Sequence, residues 1–317
     1  MSRPPPAQSL GSVRGAAREV VTDDGVTLHV EVDEPAAPTR EAKSRLTVVL
    51  IHGYALNLDC WHFQRLALRR THRLVSYDQR SHGRSGRSSS EHCTIEQLGR
   101  DLAAVLDQVT GPGPVAVVGH SMGAMAIMAL AEHRPEEFGT RVRAVAMIST
   151  TAGGLDAEAL GLPGLPGRFL QRLTPALIAT LAKAPRLVDT GRRASSGIAL
   201  KLTRRLAFGG PVDDEIVDFT DVMLAGTPFQ VVADFFPGVE VHDKTAMLHV
   251  LKQVPTVVMC GSLDAITPMD SSRQIIASEP SVDLVEIVGA GHMVILERPA
   301  EVTTAIGSLL ARSEVDA

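Results

Sequence analysis

Short, dense apolar runs alternate along this chain with stretches in which apolar residues recur every three or four positions. The run Arg45–Ile51 is almost continuously apolar, as a strand covered on both faces must be. Arg73–Tyr77, Val115–Val118, Arg143–Ile148, Pro255–Cys260 and Asp283–Val288 read as further strands. Helical spacing lies between them, over Trp61–Arg69, Ala124–Glu132, Pro268–Ser278 and Arg298–Arg312. Thr94-Ile95-Glu96-Gln97 has the form of a capping box, and Leu98, Leu102, Val105 and Val109 make the apolar stripe of the helix it opens. Near the start, Arg18–Thr22 and Val26–Val32 read as two strands joined by an Asp23-Asp24-Gly25 turn. Strand alternating with helix predicts an α/β fold with a doubly wound, mostly parallel sheet.

The alternation stops near Thr151 and resumes after about His249, with helical patterns and loops between. The expected organisation is therefore a flexible tail over residues 1–16, a core built from 17–151 and 250–317, and a helical insertion over 152–249. A chain of 317 residues can hold one such core with its insertion. A net charge of −5 and 3% aromatic residues give no basic-aromatic surface, which argues against a nucleic-acid partner. Cys60, Cys93 and Cys260 are widely spaced and odd in number, so they read as small buried hydrophobes in a reducing setting. Met1–Arg18 has no apolar signal core, and no run reaches the ~20 apolar residues of a membrane span. The expectation is a cytoplasmic protein without an integral membrane segment.

Candidate chemistry gathers where strands end. Val115–Val118 leads into Gly119-His120-Ser121-Met122-Gly123, and helix formers follow from Ala124. Gly-x-Ser-x-Gly between strand and helix is the context in which a serine is lifted clear of the sheet on a strained turn. Glycines two before and two after leave room where a Cβ would clash, and the helix starting beneath the serine favours an oxyanion there. Asp264 follows the strand ending at Cys260 and precedes Pro268, a favoured first helical residue. His292 leaves the last strand through Gly289-Ala290-Gly291. All three then lie at the carboxyl edge of the sheet, in the order nucleophile, acid, base. The serine needs His292 to accept its proton, and Asp264 would fix the imidazole tautomer.

Four motifs in order, His52-Gly53, Asp78 to Ser85, Gly119 to Gly123 and the pair Asp264 and His292, resemble the α/β-hydrolase superfamily in its capped, serine esterase or lipase-like branch. The resemblance covers nearly all of the chain except the tail and the detail of the insertion. By position, one oxyanion donor is the backbone N–H of Met122; by resemblance, the other is that of Tyr54. His120, His52, Asp78, Arg80 and His82 read as structural braces, and Asp243 as a weak rival for the acid. No cluster has metal-ligand spacing and no glycine loop fits a dinucleotide, so no cofactor is expected.

Within the insertion Phe169, Leu170, Leu173, Leu177, Ile178 and Leu181 share one helical face, which suits a lid over a lipophilic substrate. Arg168, Arg172, Lys183, Arg186, Arg192, Arg193, Lys201, Arg204 and Arg205 make its first half basic; a solvated face is the plain reading and peripheral lipid contact the sharper one. The sequence thus points to a serine carboxylester hydrolase acting on a small-molecule ester. C–C bond hydrolysis, cofactor-free haloperoxidase chemistry and a non-catalytic receptor stay as alternatives. Met293 stands where C–C hydrolases of the family often have Trp, and Ser121 where its epoxide hydrolases have Asp, which weakens both of those assignments. Oligomeric state is not legible.

Overall fold

The computed structural model describes residues 9–35, 46–153, 180–181, 183–185, 188–190 and 203–315. The chain opens with β1 (Ala16–Val21), β2 (Thr27–Asp33) and β3 (Thr47–Ile51), then α1 (His62–Leu68), β4 (Leu74–Tyr77) and α2 (Ile95–Val105). β5 (Val115–His120), α3 (Met122–His133) and β6 (Val142–Ile148) follow. After the insertion, which contributes α4 (Asp214–Gly226) and α5 (Phe229–Glu240), the core closes with β7 (Thr256–Gly261), α6 (Met269–Ser278) and β8 (Asp283–Ile287). Two last helices, α7 (Val294–Glu297) and α8 (Pro299–Val315), complete it.

The strands form one eight-stranded sheet in the order β1-β2-β4-β3-β5-β6-β7-β8. β1–β2 and β2–β4 pair antiparallel, and every other pair is parallel. Every residue of β3 and β5 is buried, because helices cover both faces. Val49, Ile51 and Val117 pack with Leu102 of α2 and Ile127 and Leu130 of α3. Their neighbours Val48, Leu50 and Val118 point the other way, into a layer with Trp61, Ile306 and Leu309. Each such side chain contributes roughly 1.5–3 kcal/mol on burial. β8, with one face of the sheet's edge to solvent, carries Asp283 and Glu286 outward and so resists pairing with another chain.

Three details differ from the sequence reading. β1 begins at Ala16, and Val13 ahead of it is already buried, while Arg14 reaches Asp59 at 2.8 Å, so the packed core starts inside the expected tail. The box at Thr94 is half formed: its hydroxyl accepts the Gln97 N–H at 3.1 Å, but the Gln97 side chain turns to Asp23 at 2.7 Å. Beyond α2 the chain widens into a π turn over Leu106–Thr110 before Gly111 ends it at φ +71°. All three cysteines are free and buried.

The order of strands decides where a site can form. From β3 the chain steps outward to β4 and returns on the other side to β5, so the loops after β3 and β5 diverge. Crevices open at such switch points, at the carboxyl ends of the strands. Tyr54 follows β3 and Ser121 follows β5. Residues of α4, α5 and the stretch just before them line a cavity at this edge together with Ser121, α4 and α5 meet at 89°, and no strand occurs between β6 and β7 among the described residues.

Candidate active site

Ser121 takes φ +53° and ψ −118°, a left-handed conformation that costs a residue with a Cβ about 1–3 kcal/mol. Its N–H donates to Ile148 O at 2.8 Å and its C=O accepts from the Thr150 hydroxyl at 3.1 Å, so the turn is held from β6. A Cβ on Gly119 would sit 2.5 Å from the Ala124 nitrogen, and one on Gly123 2.2 Å from Ile51 O. Neither neighbour is a movable side chain. Gly123→Ala should therefore cost at least about 3 kcal/mol, more than ordinary overpacking, and a urea titration would read the loss.

His292 is held by its Nδ1 edge. Asp264 Oδ2 and Oδ1 lie 2.9 and 3.1 Å from Nδ1. A carboxylate only accepts, so the hydrogen sits on Nδ1 and the Nε2 lone pair is left for another partner. Asp264 is itself fixed: Oδ1 accepts the N–H groups of Ile266 and Thr267, each at 2.9 Å, and Oδ2 accepts the Thr267 hydroxyl at 2.9 Å. Burial pushes this carboxyl up, but the charge and hydrogen bond of His292 and the two N–H groups outweigh it and leave its pKa below the usual range. Ser121 and His292 open onto one cavity. Among the described residues no hydrogen bond joins the hydroxyl to the imidazole, a link that in such sites tightens when substrate binds.

The loop after β3 presses on the elbow, since a Cβ on Gly53 would stand 2.7 Å from His120 Nδ1 and 3.2 Å from Ser121 Cβ. The N–H groups of Tyr54 and Met122 find no acceptor among the described residues. The Tyr54 hydroxyl donates to Val232 O of α5, and Thr227 Oγ1 donates to Ala55 O at 2.9 Å, so the insertion anchors this loop.

The neighbouring histidines and charges brace. His120 points back to His292, Nε2 donating to its carbonyl at 2.9 Å, and burial lowers its pKa to about 3. His52 Nε2 accepts the Gln79 N–H at 2.9 Å and His82 Nε2 accepts the Ala55 N–H at 3.2 Å. Asp78 accepts the N–H groups of Leu58 and Arg84, both at 2.8 Å. Arg80 ties Asp101 at 2.6 Å to Asp24 at 2.7 Å. Asp243 is exposed and accepts the Thr245 N–H at 3.0 Å, far in role from His292.

The cavity measures about 630 Å³, within the range of small-ligand sites. Met125, Leu206, Leu224, Phe229 and Val232 give it apolar walls, to which Thr203, Thr220 and Asp221 add polar groups. These last three were not foreseen. Of the apolar face and basic run expected in the insertion, only Leu181, Lys183, Arg204 and Arg205 fall within the described residues; Leu181 and Lys183 are exposed, and Arg204 pairs with Asp214. No group of three or more His, Cys, Asp or Glu could hold a metal among the described residues. Nor is any single helix there long and apolar enough to cross a membrane, although α4 and α5 together pass by length and composition.

This chain is similar to several known proteins. The chain is 23% identical to the esterase PIR7B of Oryza sativa subsp. japonica over 268 residues, 82% of this chain and 94% of that one. It is 27% identical to epoxide hydrolase A of Mycobacterium tuberculosis over 341 residues, 95% and 99% of the two chains. An esterase structure from Thermogutta terrifontis superposes with a TM-score of 0.70 at 23% identity, covering 95% of this chain and all of that one (100%). Residues 48–305, from the first parallel strand to the middle of α8, match the alpha/beta hydrolase family, and this chain belongs to it as a hydrolytic enzyme.

Proposed function

We propose that this enzyme cleaves carboxylic esters through Ser121, His292 and Asp264. The observation that carries the reading is the orientation of His292: its Nδ1 is taken by Asp264, 2.9 Å away, while the ring faces the cavity that Ser121 also lines. Ser121 Oγ attacks the ester carbonyl as His292 Nε2 takes its proton. The tetrahedral oxyanion accepts hydrogen bonds from the N–H groups of Tyr54 and Met122. His292 returns the proton to the departing alcohol, and water then releases the acyl group by the same sequence in reverse. Asp264 stabilises the imidazolium without itself being protonated, in keeping with its lowered pKa.

The insertion, residues 152–249, serves in this reading as a cap over the acyl-binding cavity. Fluorophosphonate labelling of Ser121, together with turnover of a p-nitrophenyl ester, tests the proposal. Labelling without any turnover would favour a receptor that keeps the triad for binding.

Leu206, Leu224, Phe229 and Val232 favour a lipophilic acyl group. Each methylene buried against them adds roughly 0.8 kcal/mol, so four raise kcat/KM by up to about two orders of magnitude. A p-nitrophenyl series from acetate to decanoate should therefore rise and then level where the cavity ends. A flat or falling profile would mean that these walls shield the site without selecting chain length.

A further inference from the structure

One charged group breaks the apolar wall. Asp221, half-buried on α4, is the one carboxylate lining the cavity among the described residues. The Thr203 hydroxyl, itself buried, donates to Asp221 Oδ1 at 3.1 Å. Oδ2 accepts no hydrogen bond, and no Lys, Arg or His pairs with Asp221 among the described residues. Leu206, Leu224, Ala225 and Phe229 line the same cavity.

A carboxylate drawn partly out of water with no cation costs free energy, and it can only accept hydrogen bonds. Packing alone is better served by Leu or Met at such a position. Asp214, Glu215 and Asp218 of the same helix are exposed, whereas Asp221, further along the face that Asp214 and Asp218 share, is half-buried and lines the cavity. What would complete the site is a donor carried by the ligand, and a cation would complete it best.

We infer that Asp221, steadied by Thr203, is a specificity-determining anchor for a protonated amine at the distal end of the substrate. The inference rests on the ester-hydrolase reading and deepens it: the natural ester is amphipathic, with an apolar middle that meets the cavity walls and an ammonium group that meets Asp221. The scissile bond stays at Ser121, and no covalent step involves Asp221.

The test is a paired series of p-nitrophenyl esters with acyl chains of four to eight carbons, each ending in an ammonium or in the methyl group of the same size. The readout is the ratio of kcat/KM within each pair, which cancels general damage to the pocket. In the wild-type enzyme the ammonium ester should lead by about tenfold at the best-fitting length, the lower end of what a hydrogen bond to a charged group contributes. The ratio should fall as ionic strength rises. Asp221→Asn, nearly identical in shape, should bring the ratio down about tenfold. It should also raise the relative rate on the matching acyl chain that ends in a carboxylate. Preference for the methyl ester at every length in wild type, or a ratio unchanged by Asp221→Asn, would overturn the inference. Failure of both members of every pair to turn over would instead overturn the ester-cleaving reading beneath it.

Discussion

Ser121→Ala should abolish ester turnover, lowering kcat by about six orders of magnitude if the three residues act as one unit. Fluorophosphonate labelling should vanish with it. The fold should survive, for a local reason. The Ser121 hydroxyl makes no hydrogen bond among the described residues, so its removal strands no partner. The turn is held by main-chain atoms, the N–H to Ile148 O at 2.8 Å and the C=O to the Thr150 hydroxyl at 3.1 Å, which alanine keeps. Alanine also carries the same Cβ at φ +53°, so backbone strain is unchanged. Thermal unfolding should stay within a few degrees of wild type. Ser76 and Ser149 are fully buried, their hydroxyls without a partner among the described residues, and neither is reachable by a bulky phosphonate. Labelling that persists in Ser121→Ala would therefore sink the assignment of the nucleophile.

The parts of this molecule that could be read from the sequence are those set by local rules. The parallel strands announce themselves because a strand covered on both faces must be almost wholly apolar, as Val48–Ile51 and Val115–Val118 are. The elbow was legible because its glycines answer to contacts within a few residues or with the adjoining strand, such as Ile51 O against Gly123. Asp264 and His292 could be placed because each lies in the loop that leaves a strand, and parallel strands end at one edge.

Other features depend on distant partners and left little local trace. Gln97 forsakes its half of the capping box because the β1–β2 turn brings Asp23 within 2.7 Å. Glu297 closes the short helix α7, just ahead of the helical spacing at Arg298–Arg312. Its carboxylate is turned inward to accept the N–H groups of Gly291 at 2.8 Å, Gly210 at 2.9 Å and Gly209 at 3.2 Å. It thereby ties the loop of His292 to the base of the insertion. Asp221 shares the amphipathic pattern of α4 with Asp214 and Asp218. At i, i+4 and i+7 the three fall within about 60° of one another on one helix face, and only the docked position of the helix tells where along that face solvent gives way to the cavity.

Asp264→Asn should lower kcat by about four orders of magnitude while leaving the structure nearly unchanged. The hydrogen bonds around the carboxylate decide how the amide must sit. Oδ1 receives two main-chain donors, Ile266 N–H and Thr267 N–H, each at 2.9 Å, so the amide oxygen of asparagine has to take that place. The amide nitrogen then falls where Oδ2 was, 2.9 Å from His292 Nδ1. Its N–H needs an acceptor there, so Nδ1 must give up its hydrogen and the hydrogen moves to Nε2. An imidazole with Nε2 already protonated cannot take the proton of Ser121. The Thr267 hydroxyl, which donates to Oδ2 at 2.9 Å, can rotate to accept from the new amide and so softens the structural cost. The damage should thus lie in kcat, with KM and thermal stability little moved. Asp243→Asn provides the contrast, because Asp243 is exposed and accepts the Thr245 N–H at 3.0 Å, which the amide oxygen can still do. Steady-state kinetics on the two variants with one p-nitrophenyl ester decide the matter: a mild Asp264→Asn beside a damaging Asp243→Asn would mean that the acid lies on the insertion and not after β7.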